Sequence, residues 1–224
     1  MLLLLMAATE FEISESIDWL KHLPVPHNVP IPDLLISGIG QLQTAYTLEK
    51  KIREHRPYLV IQAGIGGSSS AGDLGKTFVI HSETIADLGA REKNGFRSLF
   101  DLGLDKADRY PFQEGKLKNP YLHLLEWTGL PTMEGMTVNE IKSSESPGFQ
   151  RIQFPVVESM EGAALHYVCL MEKIPFLQLR AVSNVLGDRD KRRWKMKEAR
   201  ENLHTVLVSL LHKLEKADET LFRI

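Results

Sequence analysis

The sequence predicts a single α/β domain with a central, largely parallel or mixed sheet flanked by helices. Three observations lead there. Unbroken apolar runs of strand length recur along the chain, as they do in strands covered on both faces. Patterns of helical spacing separate several of these runs. The 224 residues, 43% of them hydrophobic, suffice for one sizeable core, and no linker, repeat or low-complexity tract divides them.

The elements follow in order. LLLLMAA over 2–8 reads as a buried first strand, because it lacks the basic residues of a signal segment and is too short to span a bilayer. A helix is expected over 12–21, a strand at DLLISG (33–38), a helix at QLQTAYTLEKKIREH (41–55) and a strand at YLVIQAG (58–64). AGIGGSSSAGD over 63–73 then reads as a glycine-rich loop, and TFVIHSE (77–83) as a further strand. The stretch 86–150, rich in Gly, Pro and charge, predicts loops and short strands. Helical spacing returns over 159–172, PFLQLRAVS (175–183) reads as a strand, and KMKEARENLHTVLVSLLHKLEKA (195–217) closes the chain with a long helix.

Composition narrows the function. A net charge of −2 and a pI near 6.5 provide no excess of base to neutralise a phosphate backbone or an anionic membrane, so a small molecule is the expected partner and neither nucleic acid nor membrane is. Cys169 is the sole cysteine and lies in an apolar helix, which excludes a disulfide framework and a thiolate metal site and fits a reducing cytoplasm. The eight histidines show no metal-ligand spacing such as H-E-x-x-H, so no metal is expected.

In a parallel α/β sheet ligands gather outside the carboxyl ends of the strands. The residues found there are Thr9, Glu10 and Glu12, Gly38–Gly40, Gly64–Ser70, and Asn184 with the loop to Asp190. One of Glu10 and Glu12 reads as a solvated acid at a helix start. The glycine stretch is either a tight turn or a loop that lets backbone approach a ligand; it matches neither the G-x-G-x-x-G nor the G-K-[ST] phosphate pattern. Glu161 falls in a helix with no wet face, so its carboxylate must be paired or used; a macrodipole role near the helix start, with Ser159 as cap, is the alternative. Strict alternation along 175–184 puts Arg180 and Asn184 on one face, with Cα atoms about 13 Å apart. Arg180 and Glu161 therefore form either a structural ion pair or two parts of one site.

VVESMEGAALHYVC and RAVSNVLGD resemble the V-E-M-E-type helix start and the R-A-x-S-D segment of the nucleoside phosphorylase and nucleosidase superfamily. ATEFE and AGIGG stand where that family has its water-activating acid and its glycine-rich loop. Within the family, ETIADLGA, GFRSLFDLGL, GMTVN and SNVLGDRDKRRW are similar to the futalosine hydrolase subgroup. The resemblance implies a nucleoside phosphorylase-like fold and hydrolysis of an N-glycosidic bond, releasing hypoxanthine from futalosine in menaquinone biosynthesis. Adenosine-type nucleosidases and phosphorylases on the same fold, and a nucleoside-binding module without catalysis, are the rivals.

Carried over by position, the resemblance makes Glu12 the base that activates water and Arg180 a group beside it. Met160 and Glu161 become the floor and hydroxyl anchor of the ribose, and Thr9, Ile65, Gly66, Gly67 and Val138 further substrate contacts. No metal or organic cofactor is implied, water is the co-substrate, and a homodimer or larger homo-oligomer is expected. Asn184 stands where adenosine-specific relatives have Asp. An amide can donate to the two acceptors O6 and N7 of a 6-oxopurine, whereas an ionised carboxylate can only accept. Phosphorylases of the family carry an Arg just ahead of the glycine loop; Gln62 stands there, which favours water over phosphate. For the 5′ substituent, Phe96, Arg97, Phe100, Arg192 and Trp194 are the candidates.

Overall fold

The computed structural model describes residues 2–23, 28–93, 95–149 and 152–222. Its elements are β1 (Leu2–Ala7), α1 (Glu10–Lys21), β2 (Asp33–Ile36), α2 (Gln41–Glu54), β3 (Pro57–Ser68), β4 (Thr77–Ile85), β5 (Gly89–Glu92), β6 (Gly95–Ser98), β7 (Leu117–Lys118), α3 (Leu122–Thr128), β8 (Thr132–Thr137), β9 (Val157–Ser159), α4 (Gly162–Glu172), β10 (Phe176–Val185) and α5 (Met196–Leu214).

β3 organises the sheet. Along its length it pairs in parallel with β1 on one side and β10 on the other, and its last two residues, Gly67 and Ser68, pair antiparallel with β9. β10 continues to β4, β4 to β8 and β8 to β9, so five strands close on themselves while β1 and β2 extend from β3 as a parallel wing. The sheet is therefore mixed: β10–β4 and β3–β9 run antiparallel. The apolar runs fill its centre. Leu4, Leu59, Val60, Ile61, Phe176, Leu177 and Leu179 are fully buried beneath α1, α2, α4 and α5. Cys169 is buried with them, and burial pushes its thiol up, so it packs instead of reacting.

Four expectations are corrected. The glycine stretch expected as a loop from 63 is strand through Ser68, pairing with β10 along Gly64–Ser68 and with β9 at Gly67 and Ser68. Helix α4 begins at Gly162, not 159; Ser159 ends β9 and Glu161 is the N-cap residue. Alternation along β10 stops at Ser183, where the register against β3 slips between Val182 and Asn184. The stretch 86–150 also holds a helix, α3, which its Gly- and Pro-rich flanks hide.

Candidate active site

β1 ends at Ala7 and hands the chain to α1, whose first turn carries Glu12. Thr9 N–H donates to Glu12 Oε2 at 3.1 Å, and the Thr9 hydroxyl lies 3.4 Å from the same oxygen, the geometry of a capping box. The other oxygen, Oε1, accepts from Ile65 N–H at 3.1 Å across the β1–β3 junction. Burial raises the Glu12 carboxyl above its ordinary 4.5, while the charge of Arg180 and the two N–H donors oppose that rise. The result is a fixed carboxylate of increased basicity facing a cavity.

Glu161 is buried at the start of α4. Its Oε1 accepts from Gly40 N–H at 3.0 Å, and its Oε2 lies 3.5 Å from Arg180 Nη2. Gly40 holds φ +90°, a conformation that glycine adopts without strain, and this aims its N–H back at α4. Arg180 is only 1% exposed and donates from Nη2 to Gln62 Oε1 at 2.8 Å. A methyl group added to Gly64 would strike Arg180 Nη1 and lie 2.9 Å from Glu12 Oε1. Arg180 therefore sits between the two carboxylates, directly over a glycine that makes room for both.

A cavity of about 260 Å³ opens above this layer. Thr9, Glu12, Ile65, Gly66, Gly67, Met160, Glu161 and Asn184, all singled out from the sequence, line it. At its far end Asn184 Oδ1 accepts from Ser183 Oγ at 2.9 Å and Asn184 Nδ2 donates to Val185 O at 3.1 Å. The slip at Ser183 lets both Ser183 and Asn184 reach the cavity.

One expected site residue stands behind the cavity wall and another lies elsewhere. Arg180 does not line the cavity; it stands behind it and acts on Glu161, because β10 points it into the core before the register slips. Val138 lines a neighbouring cavity of about 680 Å³, since its N–H bonds Ser159 O and prolongs the β8–β9 pairing past the site. Glu158 borders both cavities. Burial pushes its carboxyl up to about 7 against the opposing charge of Arg189. Of the residues considered for a 5′ substituent, Trp194 lines the smaller cavity and Phe96 the larger. Arg97 pairs with Glu92, Arg192 with Asp190, and Phe100 packs on Phe112.

The sequence reading missed Ser183, Glu158 and Glu83, and it offered Gly40 only as part of a strand-end turn. Glu83 is the most telling, for it is a carboxyl in the apolar run TFVIHSE, the same signal that drew attention to Glu161. Among the described residues no three His, Cys, Asp or Glu side chains gather as a metal site would require, and no helix is long and apolar enough to cross a membrane.

Residues 34–212 match the family model of the phosphorylase superfamily. The chain is 32% identical over 177 residues to the futalosine hydrolase of Streptomyces coelicolor, covering 75% of this chain and 73% of that one. It is 30% identical over 183 residues to the futalosine hydrolase of Thermus thermophilus, covering 79% and 80%. In three dimensions it superposes on a 5′-methylthioadenosine/S-adenosylhomocysteine nucleosidase of Colwellia psychrerythraea solved with adenine, with TM-score 0.73, 18% identity and 96% of each chain covered. It also superposes on futalosine hydrolase of Helicobacter pylori, with TM-score 0.67, 15% identity and 94% and 97% covered. The solved structures share the fold, and the sequence relatives narrow the grouping: this chain belongs to the phosphorylase superfamily, alongside the futalosine hydrolases within it.

Proposed function

We propose that the protein is an N-glycosidase that hydrolyses futalosine and releases hypoxanthine, without metal or organic cofactor. The observation that carries this reading is the convergence of Glu12, Glu161 and Asn184 on one cavity, whose volume of about 260 Å³ is close to the lower end of small-molecule sites, roughly 300 Å³. Glu12 takes a proton from the attacking water. Its two backbone donors hold it in place, and its raised pKa brings it closer to the strength a general base needs near neutral pH.

Glu161 receives the ribose hydroxyls. Gly40 and Arg180 leave lone pairs of its carboxylate facing the cavity, and hydrogen bonds to a carboxylate strengthen as positive charge grows on the sugar ring. Asn184 receives the base. Its NH₂, which bonds Val185 O in the free protein, can turn to O6 or N7 of a 6-oxopurine. Water, not phosphate, is the acceptor: the strand position ahead of the glycines holds Gln62, and Gln62 is committed to Arg180 behind the cavity.

A second copy of the chain completes the enzyme. Phe11 and Ile39, beside the two acids, are exposed at the cavity mouth and continue into Leu42, 85% exposed, and Tyr46 one turn along α2. An apolar face of this extent bordering a site is the signature of a contact surface. Light scattering should return twice the 25.3 kDa of one chain; a monomer would refute the dimer. The single buried thiol supports a reducing compartment such as the cytoplasm for this enzyme.

The functional reading is tested by incubating the protein with futalosine, methylthioadenosine and inosine, each with and without phosphate. Hypoxanthine release from futalosine without phosphate is expected. Preferential adenine release, or a strict phosphate requirement, would overturn it.

A further inference from the structure

Behind the ribose end lies a second buried acid that the proposed chemistry does not use. Glu83 on β4 is 1% exposed. Its Oε2 accepts from Thr137 Oγ1 at 2.8 Å, and Thr137 Oγ1 in turn accepts from Ala163 N–H at 2.8 Å in the first turn of α4. Its Oε1 lies 2.7 Å from the amide of Gln178 on β10. A methyl group added to Gly162, the residue after Glu161, would collide with both Glu83 and Gln178, so the start of α4 rests directly on this carboxyl.

The partners of the cluster, together with the burial of its imidazole, bear on its proton count. His166 Nδ1 sits 2.9 Å from Leu117 O, which can only accept, so Nδ1 carries the hydrogen. Burial pushes the imidazole down to about 3, which leaves it neutral and makes Nε2 a lone-pair acceptor. That Nε2 and Gln178 Oε1 are both buried without a donor, although the Gln178 side chain lies against His166. Turning the Gln178 amide by half a rotation, an assignment set by hydrogen-bond partners alone, directs its NH₂ toward His166 and its oxygen toward Glu83. Nε2 of Gln178 then donates to His166, and its Oε1 faces Glu83 Oε1. Two oxygens at 2.7 Å require a hydrogen between them, and only the carboxyl can supply it.

We propose that Glu83 stands in the folded enzyme as a neutral carboxylic acid donating to Gln178, and that it is the positioning residue for Glu161. The charged groups that reach it are Arg180 from β10 and Glu161 at the start of α4; His166 on α4 adjoins Gln178, and His81, on the strand of Glu83, acts on His166. β8 contributes Thr137 and Gly135, and β7 contributes Leu117. Arg180 is thus a cation shared by Glu12, Glu83 and Glu161. Neutrality at Glu83 removes the third anion and leaves that cation to the two acids at the cavity. It also lets the acid hold Thr137, and through it Ala163 N–H, without repelling Glu161.

The kinetic part of this inference rests on Glu161 holding the ribose; the protonation state does not, and it is read without substrate. Glu83→Gln reproduces a neutral acid, donating to Gln178 and accepting from Thr137, whereas Glu83→Ala leaves both without a partner. For futalosine, E83Q should keep kcat/KM within about threefold of wild type and E83A should raise KM about tenfold or more. Burial lifts the Glu83 carboxyl from 4.5 to about 7, so the folded state holds the proton more tightly than the unfolded one. Wild-type stability must then fall, relative to E83Q, as pH rises from about 4.5 to about 7, and the gap must level off above that. The infrared C=O band of a buried protonated carboxyl should be present in the wild type at acid pH and reduced in E83Q. A Tm difference independent of pH, an unchanged infrared band, an E83Q as impaired as E83A, or an E83Q that does not fold would each overturn the proposal.

Discussion

At the end of the cavity proposed to hold the ribose, Glu12 and Glu161 accept hydrogen bonds from the backbone of residues remote in the chain, Ile65 and Gly40, and share a buried Arg180. At the base end Asn184 is held by its own neighbours, Ser183 and Val185, and is half-buried. The first arrangement ties each carboxylate to strands of the central sheet, so it cannot move without the fold. The second leaves an amide free to exchange a backbone carbonyl for a ligand atom. Rate should therefore be sensitive to small displacements at the ribose end, and selectivity to chemical identity at the base end.

The strongest way to break this contrast is Gly64→Ala. Its methyl group would displace Arg180 and Glu12 together, and loss of a positioned general base costs about 10² to 10⁴ in rate. The expected outcome is a fall of about 10³ in kcat for futalosine by steady-state assay, with the far-ultraviolet circular dichroism unchanged. A near-normal kcat would mean that the ribose end tolerates movement.

Asn184→Asp sharpens the other side. A carboxylate facing O6 replaces a donor with a repelled acceptor, worth about 1–3 kcal/mol. Hypoxanthine release should fall by roughly 10- to 100-fold while adenine release from methylthioadenosine rises. Equal loss with both nucleosides would show that position 184 does not read the base.

The smallest effect is in pH dependence. Glu12 must be ionised to act as the proposed general base, and its carboxyl is raised above 4.5 by burial. The acid limb of kcat/KM should accordingly fall off at a pH above that ordinary value as pH decreases. The sign for stability is the reverse. A raised folded pKa makes the folded state hold the proton, so this group's contribution declines as pH rises from 4.5 through its folded pKa. Thermal melts across that range check the second statement independently of the first.

Much of this was legible in the sequence because burial leaves a period. β1, β3 and β10 announce themselves as unbroken apolar runs, and placing ligands at their carboxyl ends brings up Asn184 and the pair Glu10 and Glu12, between which the family resemblance chooses Glu12. Glu161 stood out as a charge in an apolar helix. What was not legible depends on pairing between distant strands. Closure through β9 turns the presumed glycine loop into strand, and it carries Val138 past the site into the larger cavity. The slip at Ser183 separates Arg180 from Asn184, which alternation alone would have kept on one face. Gly40 carries no side-chain signal at all; only the fold shows that its N–H serves Glu161.

The central claim is that Glu12 performs the proton transfer for a nucleoside held by Glu161 and Asn184. Its most direct test is Glu12→Gln, measured both as hypoxanthine release from futalosine and as the calorimetric Kd for the same compound. The amide can still face the cavity but cannot take a proton. The account predicts that kcat drops by roughly 100-fold or more while Kd changes only a few-fold. Turnover close to wild type, or a Kd weakened in step with kcat, would contradict it.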